Sequence, residues 1–508
     1  MNTNTIYDVV ILGGGIAGWL TSLFVKRIYP DLEILVIENS KHLPIIAGES
    51  GATTFNDILN YLNIDLQDFQ KKTNATPKLG GKFYNWSKNT EFIHALQTDY
   101  SPWLDNYKTF DNEFSFKSMN NFLQKERSGY FVEMHCIKNK IPLSKLFFAN
   151  AFIEQNKVPE SNDSRLQPMW HYESRATAAY LKEISLTRGI LYKDAIFVGA
   201  ERKTDNGDIS FLHLKNGEKI YSKWFFDCTG FARLLLGNTL EEPLIDNSCY
   251  FPAHSVVAWW GETEPNVTTK AFAMDYGWSW NVNLKSRNGS GYIYDSNFTN
   301  LDAAIQEAEK TFNKKINPVA NFTYKPGFME KTWKNNVIGI GLSTGFLEPL
   351  EANGIALICE SLFALDDLWD PYELNTVLQN RYNERLYTIT VDIRDFLLLH
   401  YTGKKTNTNF WNAYINEIHL SESLKEKIYL LNEHVNHSKE KPFFNGYSPT
   451  AWLMVMQGLN YFNKDYNINN SVKHNFYNVL NTIMDIYSKA VENNITITEW
   501  LKKERYNQ

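Results

Sequence analysis

Cysteine is scarce in this 508-residue chain: Cys136, Cys228, Cys249 and Cys359 lie far apart, with no CxxC spacing. That excludes a disulfide framework and a cysteine zinc site, points to a reducing cytoplasm, and makes all four packed thiols by expectation. Positive charge is short as well. Against 51 Lys and Arg stand 57 Asp and Glu, a formal charge of −6, so no summed positive field gathers a nucleic-acid backbone or anionic lipid. Long apolar runs are missing too. The most apolar stretch, residues 9–25, is short for a bilayer span and is broken by Gly13, Gly14 and Gly15. The start, Met1-Asn2-Thr3-Asn4-Thr5, has no basic region or small-residue cleavage site, so no export signal is expected. No internal repeat and no low-complexity linker separates one part of the chain from another.

What is present is ordinary globular composition, 43% hydrophobic and 21% charged, which rules out a mostly disordered chain. The length allows one large core or two fused lobes. Aromatic residues reach 15%, enough to serve packing first and a stacked aromatic ligand second.

Residues 6–12 form a compact β-branched run, 16–28 have helical apolar spacing, and 32–37 form a second run ending in Glu38. That is a βαβ unit. Around 87–162 short apolar patches alternate with Asn, Ser, Lys and Pro, the pattern of an irregular insertion. Residues 172–186 read as a helix. Beyond it, Asp205-Asn206-Gly207 and Asn216-Gly217 mark hairpin turns, because Asn and Gly tolerate positive φ. Residues 223–227 and 336–340 read as buried strands, so the sheet is assembled from distant pieces of chain. After about residue 366 helical stretches at 374–399, 421–435 and 472–492 dominate. The expected fold is α/β, with a Rossmann-like βαβ start in a domain over 1–365, then a mainly helical lobe over 366–508.

Gly13-Gly14-Gly15-Ile16-Ala17-Gly18 matches GxGxxG between a strand and a helix. Gly13 permits the tight turn, Gly15 lets a pyrophosphate approach the backbone, Gly18 allows close helix packing, and the N–H groups of Ile16 and Ala17 open the helix toward the anion. Glu38, about 20 residues past Gly18, can accept both ribose hydroxyls and would repel a 2′-phosphate, leaving FAD or NAD. The strand end Asp227-Cys228-Thr229-Gly230 and the loop holding Gly341 and Leu342 read as backbone beside an extended cofactor, which favours FAD and makes residues 1–365 a two-dinucleotide-binding-type FAD domain by expectation.

The chain also resembles the flavin-dependent tryptophan halogenases over most of its length. The likeness is carried by the glycine turn with Trp19, by Gly48-Glu49-Ser50, and by Lys78-Leu79-Gly80-Gly81-Lys82-Phe83-Tyr84-Asn85-Trp86. It continues through Trp170-His171-Tyr172, Asp227-Cys228-Thr229-Gly230, Gly277-Trp278-Ser279-Trp280, Gly289-Ser290-Gly291-Tyr292, residues 346–355 and Arg394-Asp395-Phe396 with His400-Tyr401. The resemblance implies that FADH2 from a separate flavin reductase reacts with O2, that chloride, bromide or iodide is oxidised to hypohalous acid, and that a lysine delivers it to an aromatic small molecule. By motif position that lysine is Lys78, with Glu351 as the carboxylate beside it. On its own Lys78, after Pro77, reads as a solvated surface lysine; only the motif reverses this. The resemblance places halide on the backbone N–H groups of Asn353 and Gly354, and the cofactor strap at Gly48, Glu49 and Ser50.

Two departures stand out. The family's WxWxIP becomes Trp278-Ser279-Trp280-Asn281-Val282-Asn283, so the aromatic wall between flavin and substrate loses its Ile and Pro and is expected to loosen. The C-terminal lobe, around Trp452, lacks the family's tyrosine pair and aromatic cluster, which opens the substrate from tryptophan to indoles, phenols and other electron-rich aromatics. His94 aligns with a residue that packs on the substrate ring in the family, while on its own it reads equally as a satisfied core histidine. A flavin-dependent aromatic monooxygenase and a non-catalytic flavin-binding module remain the rival readings. No second nucleotide fingerprint is present, no membrane or nucleic-acid partner is expected, and a homo-oligomer is allowed.

Overall fold

The computed structural model describes residues 6–41, 50–88, 91–96, 136–159, 166–403, 405, 407–417, 420–433, 445–462, 481 and 484–506. The chain divides into two compact units, 1–76 with 170–254 and 320–391, and 77–169 with 255–319 and 392–508. The division is interleaved, so the boundary expected near 365 does not coincide with it. The reason is topological: strands far apart in sequence share a sheet, and the segments between them leave one unit and return.

In the first unit, β1 (Ile6–Leu12), α1 (Ile16–Ile28) and β2 (Ile34–Glu38) follow one another as the patterning predicts. β1 pairs in parallel with β2 on one side and with Lys219–Asp227 on the other; Val337–Gly339 and Leu191–Asp194 extend the parallel sheet. Val9 to Leu12 and Ile34 to Ile37 are buried on both faces, which is why they read as unbroken apolar runs rather than alternating ones. Both predicted hairpins form, Phe197–Arg202 with Ile209–Leu214 and the latter with Lys219–Asp227. Gly207 and Gly217 take φ of +78° and +85°, the left-handed region those turns demand. Ser174–Thr187 is helical and meets α1 through small residues, with Ser22 and Ser185 hydroxyls 3.3 Å apart.

The second unit holds a mostly antiparallel sheet in the order Ser255–Gly261, Asn288–Tyr294, Gly277–Asn283, Thr269–Met274, Gly80–Tyr84, Glu91–Ala95. Helix Leu301–Phe312 presents Ala304 and Ala308 to Val257, Trp259, Tyr292 and Met274, small residues against large ones on one face. Helices dominate late in the chain, at Thr376–His400, Asn409–Glu417, Glu422–Glu433, Pro449–Gly458 and Ile497–Tyr506. Of the helix expected at 472–492, residues 484–492 are helical and the earlier part falls mostly outside the described residues. The supposed insertion contains a helix at Phe148–Gln155; residues 97–135 and 160–165 lie outside the described set. Among the described residues no helix is long and apolar enough to cross a membrane. All four cysteines are free thiols, but Cys249 is exposed and so is not the packed thiol expected. It stands in the turn after Leu244–Asp246, outside the sheet.

Candidate functional site

The glycine turn sits at the carboxyl end of β1, where the chain leaves toward β2 on one side while Lys219–Asp227 occupies the other. That is the switch point at which parallel sheets open a crevice. Gly13 has φ +115°, and a Cβ there would lie 2.2 Å from the Cys228 carbonyl oxygen. A Cβ on Gly18 would lie 1.9 Å from the Gly13 oxygen. Both glycines are therefore required by the fold itself. Gly15 differs: a Cβ there would meet nothing within 4 Å. It caps α1 with no side-chain partner, so the first N–H groups of the helix, those of Ile16 and Ala17 among them, have no side-chain cap. Among the described residues, that uncapped helix start behind an unfilled Gly15 fits a pyrophosphate.

Glu38 ends β2 with its carboxylate over Gly14. Its Oε1 accepts from Lys182 Nζ at 2.5 Å, and that ammonium lies 3.5 Å from the Tyr192 ring centroid. Lys182 was invisible to motif reading because it comes from the Ser174–Thr187 helix, 144 residues away in sequence. Ser50 bridges to His171, and Gly51 N–H donates to the Trp170 carbonyl; Gly48 and Glu49 lie outside the described residues. Asp227 faces inward. Fully buried, its carboxylate accepts from the N–H groups of Thr229, Leu235 and Leu236 and from the Thr229 hydroxyl. With those donors taken, it shapes the turn rather than touching a cofactor through its side chain. At Gly341, φ +75°, an added Cβ would crowd Ile358 at 3.1 Å and Ala17 at 3.2 Å, and Leu342 follows half-buried.

Farther along, Glu351 and Ala352 are both left-handed, at φ +61° and +57°. Two successive non-glycine residues in that region store strain. The kink delivers the chain into helix Asn353–Leu368. Asn353 is 1% exposed, and its Nδ2 donates to the carbonyls of Glu348 and Leu350 at 2.6 and 2.7 Å. The side chain thus locks the kink while the backbone N–H groups of Asn353 and Gly354 remain at the helix start. Gly354 has open space where a Cβ would be. Glu351 is half-buried, whereas Glu348 is fully buried. The Tyr324 hydroxyl beside Glu348 is buried without a hydrogen-bond partner among the described residues, and burial together with the Glu348 charge pushes its pKa well up. No motif flagged Tyr324, since only the fold brings it near Glu348.

In the second unit Lys78 ends strand Thr76–Lys78 and is only 5% exposed. Lys82, four residues on, is instead an outer-face residue: it pairs with Glu91 at 3.0 Å, and that partner together with Tyr84 raises its pKa against a counteracting desolvation. His94 is half-buried on the neighbouring strand, opposite Gly81. Trp278 and Trp280 share one strand face with ring centroids 6.1 Å apart, as a period of two requires. Trp278 is 1% exposed and packs on Trp86, whose Nε1 donates to the Ala271 carbonyl. The Trp280 indole lies over Gly291, where a Cβ would come within 2.1 Å of the ring. Pairing with Asn288–Tyr294 continues through Val282 and Asn283, because these residues supply the ladder N–H that proline lacks. Trp452 is fully buried against Phe396, so its ring presents no exposed surface to a ligand.

A family model described as tryptophan halogenase matches residues 8–473. Among curated proteins, the chain is 29% identical to tryptophan 6-halogenase ThaL of Streptomyces albogriseolus, covering 84% of this chain and 82% of that one. It is 27% identical to tryptophan 7-halogenase RebH of Lentzea aerocolonigenes, covering 83% and 81%. In fold it is similar to BrvH, a flavin-dependent halogenase from Brevundimonas sp. BAL3, with TM-score 0.79, 24% identity and coverage of 98% and 99%. The tryptophan 6-halogenase SttH of Streptomyces toxytricini superposes with TM-score 0.83 at 22% identity, covering 97% and 99%.

Proposed function

The chain belongs to the tryptophan halogenase family, an enzyme family of flavin-dependent halogenases, and from that premise we propose that it uses FADH2, O2 and a halide to halogenate an electron-rich aromatic small molecule. The observation that carries the reading is the contrast between the two motif lysines. Lys78 is 5% exposed and Lys82 is paired outward with Glu91. Burying an ammonium is costly, and a lysine this deeply buried is an exception among lysines.

The FAD-binding part is the first unit. Gly15 and the N–H groups of Ile16 and Ala17 take the pyrophosphate, and Glu38 takes the ribose hydroxyls while sharing its carboxylate with Lys182. Bound reduced flavin would supply two of the four electrons that O2 takes up and halide the other two, so that one oxygen leaves as water and the other is carried in hypohalous acid. The chain's own residues do the rest. The N–H groups of Asn353 and Gly354 hold halide, a task that needs no particular side chain. Trp278 and Trp280 wall the organic substrate from the site of oxidation. Lys78 Nζ takes up hypohalous acid, either as a hydrogen-bond donor that sharpens its electrophilicity or as a neutral amine that takes the halogen from oxygen and gives up its proton, releasing water and leaving a haloamine. Glu351 stabilises the cationic ring and accepts its proton. Indoles and phenols are the substrate class, and a separate reductase provides FADH2.

The test is purified protein with FAD, NADH, a flavin reductase and air, offered chloride, bromide or iodide and a panel of indoles and phenols. Products should gain the mass of the halogen supplied, and Lys78→Ala should abolish them while FAD binding persists. Oxygen insertion that ignores halide would overturn the reading.

A further inference from the structure

Four elements meet around one ammonium beside the dinucleotide turn. Lys182 leaves helix Ser174–Thr187, and its Nζ donates to Glu38 Oε1 at 2.5 Å while lying 3.5 Å from the Tyr192 ring centroid and 5.6 Å from that of Trp19. Trp19 belongs to α1 and is 1% exposed; Tyr192 stands on the neighbouring strand, in register with Val36 of β2. The two rings are themselves 6.0 Å apart. An ammonium set over two rings and bonded to a carboxylate is held in one place. Burial works against its charge, but the hydrogen bonds with Glu38 and Tyr192 outweigh burial and raise the Lys182 pKa, so the cation persists at neutral pH.

As an ordinary surface ion pair this contact would contribute little. Its importance lies in what it stands beside. The second oxygen of Glu38, Oε2, reaches over Gly14, where a Cβ would come within 1.7 Å of it. Gly14 is the neighbour of Gly15, where the open space in front of α1 begins. A carboxylate at that point accepts ribose hydroxyls, and it also repels a diphosphate one residue away. Asp194 adds a second carboxylate, in register with Glu38 and bonded to the N–H and hydroxyl of Ser40. Among the described residues Lys182 is the only cation paired with Glu38. The Lys182 and Glu38 side chains are 27% and 16% exposed, so water screens them only in part.

We propose that Lys182 is a specificity-determining residue for a nucleoside diphosphate: it cancels the Glu38 charge toward the diphosphate, and each carboxylate oxygen keeps a lone pair for the ribose. A ribose carboxylate and a dianion can then occupy adjacent places. The proposal rests on the reading of residues 13–18 as the FAD diphosphate site.

The test is ligand binding to the full chain freed of flavin, with no turnover required. FAD is titrated by flavin fluorescence, and ADP and adenosine are measured as its competitors. Lys182→Met should weaken FAD and ADP about tenfold and adenosine, which carries no phosphate, by no more than about twofold. The loss should shrink as salt is added, and Lys182→Arg should keep wild-type affinities. Glu38→Gln, which leaves the ammonium unopposed, should shift the ratio of ADP to adenosine affinity the other way, raising it about tenfold; this holds even if Lys182→Met folds poorly around its unpaired carboxylate. FAD, ADP and adenosine weakened by one common factor, FAD affinity unchanged in Lys182→Met, or a Glu38→Gln ratio equal to wild type overturns the proposal and leaves the site reading standing. ADP that fails to displace FAD from the wild-type protein refutes the site reading, and the proposal with it.

Discussion

Two glycines of the dinucleotide turn should respond oppositely to the same methyl group. At Gly18 a Cβ would stand 1.9 Å from the Gly13 carbonyl oxygen and 3.0 Å from its carbon. Neither neighbour is the end of a flexible side chain, so Gly18→Ala must push α1 off the turn. Overpacking of this kind costs about 1–3 kcal/mol or more. At Gly15 the Cβ meets nothing within 4 Å, and φ is −80°, a value alanine adopts freely. There the loss of unfolded-chain entropy stabilises by about 0.4–1 kcal/mol, while a poorer helix cap takes back a similar fraction of a kcal/mol. The fold should be indifferent to Gly15→Ala. The cofactor should not be. A methyl in that space displaces the pyrophosphate from the helix start, and losing one charge-assisted hydrogen bond, about 1.5–3 kcal/mol, weakens FAD roughly tenfold to a hundredfold. Thermal unfolding without flavin and FAD titration by flavin fluorescence separate the two effects. Gly15→Ala binding FAD as tightly as wild type, or melting as early as Gly18→Ala, would refute the argument.

Gly291→Ala should force the Trp280 indole off its strand, since the new Cβ would come within 2.1 Å of the ring. The measurable outcome is a larger share of NADH consumed without halogenated product, with FAD affinity unchanged. Ala352→Gly relieves left-handed strain at φ +57°; subtracting glycine's entropic penalty leaves a gain of about 0.5 kcal/mol in denaturant unfolding. Asp246 is held down to about pKa 2, chiefly by the backbone and side chain of Ser248 and then by Lys325. A carboxyl lowered on folding adds stability above its ordinary pKa and loses it as pH falls toward the folded value. Asp246→Asn should therefore flatten the acid limb of the stability curve between about pH 4 and pH 2, and an unchanged limb would show that the turn does not persist in solution.

Local physics made much of this protein readable from its residues. A strand buried on both faces must be apolar throughout, a type of turn demands glycine, and a helix must present one apolar side, so β1, α1, β2, both hairpins and the late helices follow from patterns a few residues long. The motif around Lys78 likewise singled out a lysine, and the residues themselves offered no reason to think it buried. Burial, pairing and strain belong to the folded chain because they depend on segments hundreds of residues apart. Only the tertiary structure distinguishes Lys78 from Lys82, turns Asp227 inward, keeps the Trp278–Trp280 strand paired without its proline, sets Lys182 on Glu38, and leaves Cys249 uncovered. The charge balance at the dinucleotide turn has no signature in sequence at all, since Lys182, Trp19 and Tyr192 come from two helices and a strand that meet Glu38 only once the chain has folded.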